Sequence, residues 1–148
     1  MFGSITLISG MTLTASTETY TFEGRGSYVL TSATKSWGKS FSISIPGGSL
    51  TLGDDFVFGN NRTITMVAGT FDAADYAVTG GNLNSSSTVS KTLNMGNGLW
   101  TMQGNNPAWS PGNTLTVNAE GSTIKFTNSS NNDITFAGGI NSKTYNNV

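Results

Sequence analysis

Residues 91–104 read KTLNMGNGLWTMQG. Large apolar side chains fall at Leu93, Met95, Trp100 and Met102, with Asn97 and Gly98 between the two pairs. In isolation this is the pattern of a β-hairpin, two short alternating runs separated by turn residues. The phrase recurs along the chain, and a single hairpin does not explain why. Ile43-Ser-Ile45-Pro-Gly-Gly48-Ser-Leu50-Thr-Leu52 aligns position for position with Ile64-Thr-Met66-Val-Ala-Gly69-Thr-Phe71-Asp-Ala73. Leu115-Thr-Val117 leads through Gly121 to Ile124 and Phe126 with one extra residue, and Ile134-Thr-Phe136-Ala-Gly-Gly139 opens a further copy.

The glycines at 48, 69, 98, 121 and 139 lie 21, 29, 23 and 18 residues apart, the range of one solenoid coil. A coil of two or three short strands cannot bury its own apolar face, so coils stack and share one core. The fold expected is therefore all-β, a β-solenoid of stacked coils, with a β-sandwich or jelly roll as the alternative for short strands at this spacing. On the solenoid template the inward set is Ile43, Ile45, Ile64, Met66, Leu93, Met95, Trp100, Leu115, Val117, Ile124 and Phe126. The two strands of KTLNMGNGLWTMQG become successive sides of one coil with Gly98 at the corner. Their partners are then expected in the neighbouring coils, around Ile64 and Leu115. The 148 residues suit a single all-β domain, with 36–148 as repeat coils and 1–35 as an N-terminal cap or attachment segment.

Composition narrows the chemistry. Only 10% of the residues are charged, against about 25% in an ordinary domain. Seven basic and eight acidic residues give a net charge of −1, which offers no basic stripe for nucleic acid and no polybasic patch for a membrane. Cysteine and histidine are both absent, which removes disulfides, thiolate–metal sites, Ser–His–Asp and Cys–His catalysis and histidine-based zinc chemistry. The reading is a non-enzymatic chain with no cofactor and no metal. The opening MFGSITLISGMTLTAST lacks the charged start and apolar block of a secretion signal, so release by lysis, or membership of something larger, is expected.

From residue 36 onward the chain resembles a repeat region of bacteriophage tail-fibre and other virion proteins and of large bacterial surface proteins. The resemblance runs in order through SWGKSFSISIPGGSLTLGDDFVFG at 36–59, RTITMVAGTFDAADYAVTGGNLNSSSTVSKTLNMGNGLWTMQG at 62–104 and the tryptophan of NPAWSPGN at 106–113. It continues with TLTVNAEGSTIKFTNSS at 114–130 and ITFAGGINSKTYNNV at 134–148. It implies a rigid solenoid segment of a shaft or surface projection. The implied location is the virion, or alternatively the extracellular space or cell surface. The implied partners are virion proteins and other copies of the chain, trimers above all. Members of that family are usually longer, and here Tyr145-Asn146-Asn147-Val148 stands at the end, as expected of a segment that meets another subunit or of a truncated chain.

The residues that could carry other functions are few. Asp54 with Asp55, and Asp72 with Asp75, are the carboxylate pairs a glycosidase would need. Aspartate is also a turn former, and the glycine–aspartate repeats of calcium-binding solenoids are missing. Trp37 in SWGKS and Trp109 in PAWSPG occupy turn-like contexts. They are the candidate contacts for a cell-surface glycan, the alternative reading being a carbohydrate-binding adhesin or receptor-binding module. Thr12-Leu-Thr14, Thr63-Ile-Thr65 and Thr114-Leu-Thr116 resemble the threonine ladders of ice-binding solenoids, but their spacing reads as too irregular for a flat face.

Overall fold

The structure is a computed structural model that describes residues 1–14, 16–85, 87–105, 107–128, 136–137 and 143–148. It is a β-solenoid of about five turns, with no helix among the described residues. A partial rung, β1 (Ile5–Thr6), sits at the N-terminal end. The first coil holds β2 (Thr19–Glu23), β3 (Ser27–Thr31) and β4 (Ser36–Trp37); the second holds β5 (Ser40–Leu52) and β6 (Phe56–Phe58). β7 (Thr63–Asp72) and β8 (Val78–Gly80) make the third, and β9 (Asn82–Ser85), β10 (Lys91–Asn94) and β11 (Leu99–Met102) the fourth. The fifth contains β12 (Trp109–Pro111), β13 (Leu115–Asn118) and β14 (Thr123–Phe126). Single bridges from Phe136 to Trp109 and from Asn147 to Thr123 begin a further rung.

The strands pair in parallel, coil on coil. They form a nine-stranded and a five-stranded sheet. β5 and β7 run through a bend in the larger sheet, so each coil has three sides. The register of β5 on β7 slips at this bend, between Ile43 and Ser49, where Pro46, Gly47 and Gly48 lie. The slip lets one strand serve two sides.

Period-two alternation explains the core. Along β7 the pattern of Thr63-Ile64-Thr65-Met66 is half-buried then buried and continues to Ala68; Gly69 and Thr70 at the bend interrupt it by one residue before Phe71 resumes the buried phase. Inward residues stack into columns: Tyr20, Phe41, Ile64, Leu83 and Trp109 on the first side, Tyr28, Leu50, Phe71, Leu93 and Val117 on the second, and Phe56, Val78, Trp100 and Ile124 on the third. Of the expected inward set, Ile43, Ile45, Ile64, Met66, Leu93, Met95, Trp100, Leu115 and Ile124 are buried; Val117 and Phe126 are half-buried and pack against that core.

Three expectations are corrected. Leu93 stacks on Phe71 and Val117, not on Ile64 and Leu115; Leu115 pairs with Lys91, and Ile64 with Phe41 and Leu83. Trp100 belongs to the column of Val78 and Ile124 rather than that of Leu50 and Phe71. A three-sided coil carries the same alternation on each side, so a two-strand template can slide by one side and still keep apolar residues inward. The stacking also starts before residue 36: β2, β3 and β4 form a coil that pairs with the second in the same parallel manner. Ile134, Gly139 and most of the copy they were expected to open lie outside the described residues.

Gly98 has a steric role. It lies against the coil below, where a Cβ would collide with the Tyr76 carbonyl oxygen. The left-handed turns at this corner come instead from Ala33 and Thr34 (φ 52° and 55°), Ala74 and Asp75 (48° and 70°), Gly96 (64°) and Glu120 (48°). Four of the five coils thus use the same backbone device between their second and third sides.

Candidate functional site

The space enclosed by Leu30, Phe41, Leu50, Phe56, Ile64 and Phe71 is about 10 Å³, at the lower limit for a single water molecule.

The acidic pairs sit at the corner between the second and third sides. Asp54 accepts hydrogen bonds from the backbone N–H groups of Ser32 (2.7 Å) and Thr34 (3.3 Å), one coil earlier. Asp55 Oδ1 accepts from the Ala77 N–H one coil later (2.9 Å). Asp75 Oδ1 accepts both the backbone N–H and the Nδ2 of Asn97 (each 2.8 Å), again one coil on. Asp72 caps its own turn through the Ala74 N–H (2.9 Å). These carboxylates satisfy the N–H groups that turning leaves without a strand partner, and three of them tie one coil to the next. Among the described residues no three Asp or Glu side chains converge on a point that could hold a metal ion.

The two tryptophans expected to face sugar are both internal. Trp37 is 3% exposed and Trp109 0%. Trp37 packs among Tyr20, Phe41 and Phe56, with centroids 5.2–6.1 Å away. Trp109 meets Trp100 edge-on at 5.8 Å and donates its Nε1–H to the Tyr145 hydroxyl at 2.9 Å. Neither presents a ring face to solvent, so neither can stack on a sugar. Tyr145 and Phe136 form a T-shaped pair at 5.1 Å beside Trp109, so aromatic side chains line this end of the core. Burial raises the pKa of Tyr145, and the hydrogen bond from Trp109 opposes that shift.

The outward residues are better ordered than the sequence suggests. On the first side Thr21, Ser42, Thr65, Asn84 and Ser110 stand in register beside Thr19, Ser40, Thr63 and Asn82. On the second, Ser27, Ser49, Thr70, Thr92 and Thr116 make a column of five hydroxyls. The repeat length varies, but the extra residues are absorbed at corners and the strands stay aligned.

At the corner between these two sides lies a surface trough with about 310 Å³ of water-accessible space. Gly47, Gly48 and Gly69 line it on the β5–β7 bend; Thr70, Thr92 and Thr116 line it from the second side. Its far wall is made by Ser90 and Lys91, where the fourth coil replaces the smooth bend with the loop 87–90. Lys91 stacks in the column of Gly69 and Leu115 and is only 3% exposed. Its ammonium group donates to the carbonyls of Ser87 (2.8 Å) and Val89 (2.7 Å), to Thr114 Oγ1 (2.8 Å) and to Ser87 Oγ (3.2 Å). Burial, and next the charge of Lys143, lower its pKa from the ordinary 10.5. This lysine holds the loop shape, a role missed in the sequence although Lys91 is in phase with Leu93 and Met95.

No protein-family model, no curated protein and no solved structure matches the chain.

Proposed function

We propose that the chain is a structural, non-enzymatic component of a phage particle, a rigid β-solenoid segment of a tail fibre or a similar virion projection. The observation that supports this most is the unbroken stacking. Apolar columns and parallel ladders run through all five coils, and Asp54, Asp55 and Asp75 strap the corners of successive coils together. A rod so made resists bending because each coil is held on three sides, and its surface is mainly uncharged hydroxyl and amide groups. The Lys39–Glu18 ion pair is exposed on the Glu18 side and adds little.

Its partners are other copies of the chain and neighbouring virion proteins, with a trimer as the favoured assembly. Mass photometry of the purified chain tests this reading: a trimer is expected, and a strictly monomeric chain at micromolar concentration counts against a fibre shaft. The adhesin reading loses the tryptophans that suggested it, and rests on whatever the outer troughs and columns can bind.

A further inference from the structure

We propose that the trough between the first and second sides binds a linear, uncharged polysaccharide lying along the solenoid axis. The inference stands apart from the virion reading, because it rests on the lining of this one corner.

Three features of the trough point to that ligand. Its volume of about 310 Å³ falls at the lower end of the range for small-molecule sites, and its lining draws on three consecutive coils through Thr70, Thr92 and Thr116, so it follows the solenoid axis. Its side-chain lining is dominated by hydroxyls, Thr70, Thr92, Thr116 and Ser90, with glycine backbone opposite and no carboxylate. The cation at its wall is already committed, since the Lys91 ammonium is enclosed by four oxygens between 2.7 and 3.2 Å away. An anion would have to break those bonds, whereas a neutral hydroxyl-rich ligand leaves them intact.

The lining is also periodic. Thr70, Thr92 and Thr116 are register partners in consecutive coils, so their hydroxyls repeat at the strand spacing of about 4.8 Å. A wall that offers the same donor and acceptor at equal steps favours a ligand that repeats its own hydroxyls. Strand addition by a peptide is disfavoured along β7 and β10, which are paired on both edges.

Affinity electrophoresis through gels containing hydroxyethylcellulose, xylan, galactomannan or pullulan, with alginate and heparin as anionic counterparts, tests the proposal. Retardation by at least one neutral polymer is expected. Thr92→Arg, which fills the trough, and Thr116→Arg, at an exposed position, are each expected to weaken it at least ten-fold. Thr65→Arg on the first side should leave it unchanged. Melting curves confirm which variants fold, and the exposed Thr116 site covers the case in which Thr92→Arg does not. The proposal is overturned by no retardation in any neutral gel, by retardation in anionic gels alone, or by equal retardation of wild type and trough variants. It is also overturned if the trough variants alter only the assembly state, which would make the trough a contact between copies.

Discussion

Trp100 and Trp37 bring the same indole into the same core and meet different polar surroundings there. Trp100 is fully enclosed, packs edge-on against Phe71 and Trp109, and donates its Nε1–H to the Met95 carbonyl at 3.2 Å. Trp37 is almost as deeply buried, yet its Nε1 has no acceptor. An unmade buried hydrogen bond costs about 1–3 kcal/mol, so part of what the Trp37 ring contributes by packing is offset. Trp100→Ala should therefore cost about 3–5 kcal/mol, the range for emptying a large aromatic site. Trp37→Phe removes the orphan donor along with some ring area, and its cost should stay below about 1.5 kcal/mol, in the range of a tolerated apolar exchange. Urea titration of both variants checks the pair. Equal losses would mean that the missing acceptor at Trp37 has no energetic weight.

At the scale of the element, the corners separate two reasons for glycine that a sequence shows identically. Gly47, at the β5 bend, has φ 76° and open space where a Cβ would stand. Gly47→Ala therefore meets only the left-handed penalty, about 1–2 kcal/mol. Gly98 has no left-handed backbone, but its missing side chain admits the Tyr76 carbonyl of the coil below. Gly98→Ala must push two coils apart at a point where β11 pairs with β8 and β14. It should lower the melting temperature clearly more than Gly47→Ala, and thermal unfolding followed by circular dichroism decides the order. The same contrast marks what could be read in advance. Alternation alone identified Ile43, Ile45, Ile64, Met66 and Trp100 as inward residues of β5, β7 and β11, because strand periodicity is local. Which side of the coil each strand forms was hidden, since sliding by one side changes no residue from inward to outward. Trp109 was hidden differently: proline and glycine surround it, so no alternation betrayed the short strand β12. The trough was illegible too, being made by a step between a smooth bend in two coils and the loop 87–90 in the next.

At the scale of the whole molecule, each coil contacts only its neighbours, so what packs on the fifth coil bears directly on its stability. The C-terminal end of the core is lined by Trp109, Phe136 and Tyr145, with Asn147 continuing the pairing of Thr123. Burial raises the Tyr145 pKa above the ordinary 10.0, so the folded chain holds that phenol proton more tightly than the unfolded chain does. Its contribution is fully present below about pH 10 and is lost as pH rises through the raised folded value. Lys91 acts in the opposite sense. Its folded pKa is lowered, so between that value and 10.5 the unfolded chain binds more protons and stability rises with pH. Tyr145→Phe separates the two, because it leaves Lys91 in place and removes the phenol. The variant should melt below wild type at pH 8, having lost the acceptor for Trp109, and the gap should narrow by pH 11. A gap that stays constant across that interval would show that the Tyr145 proton is not coupled to folding.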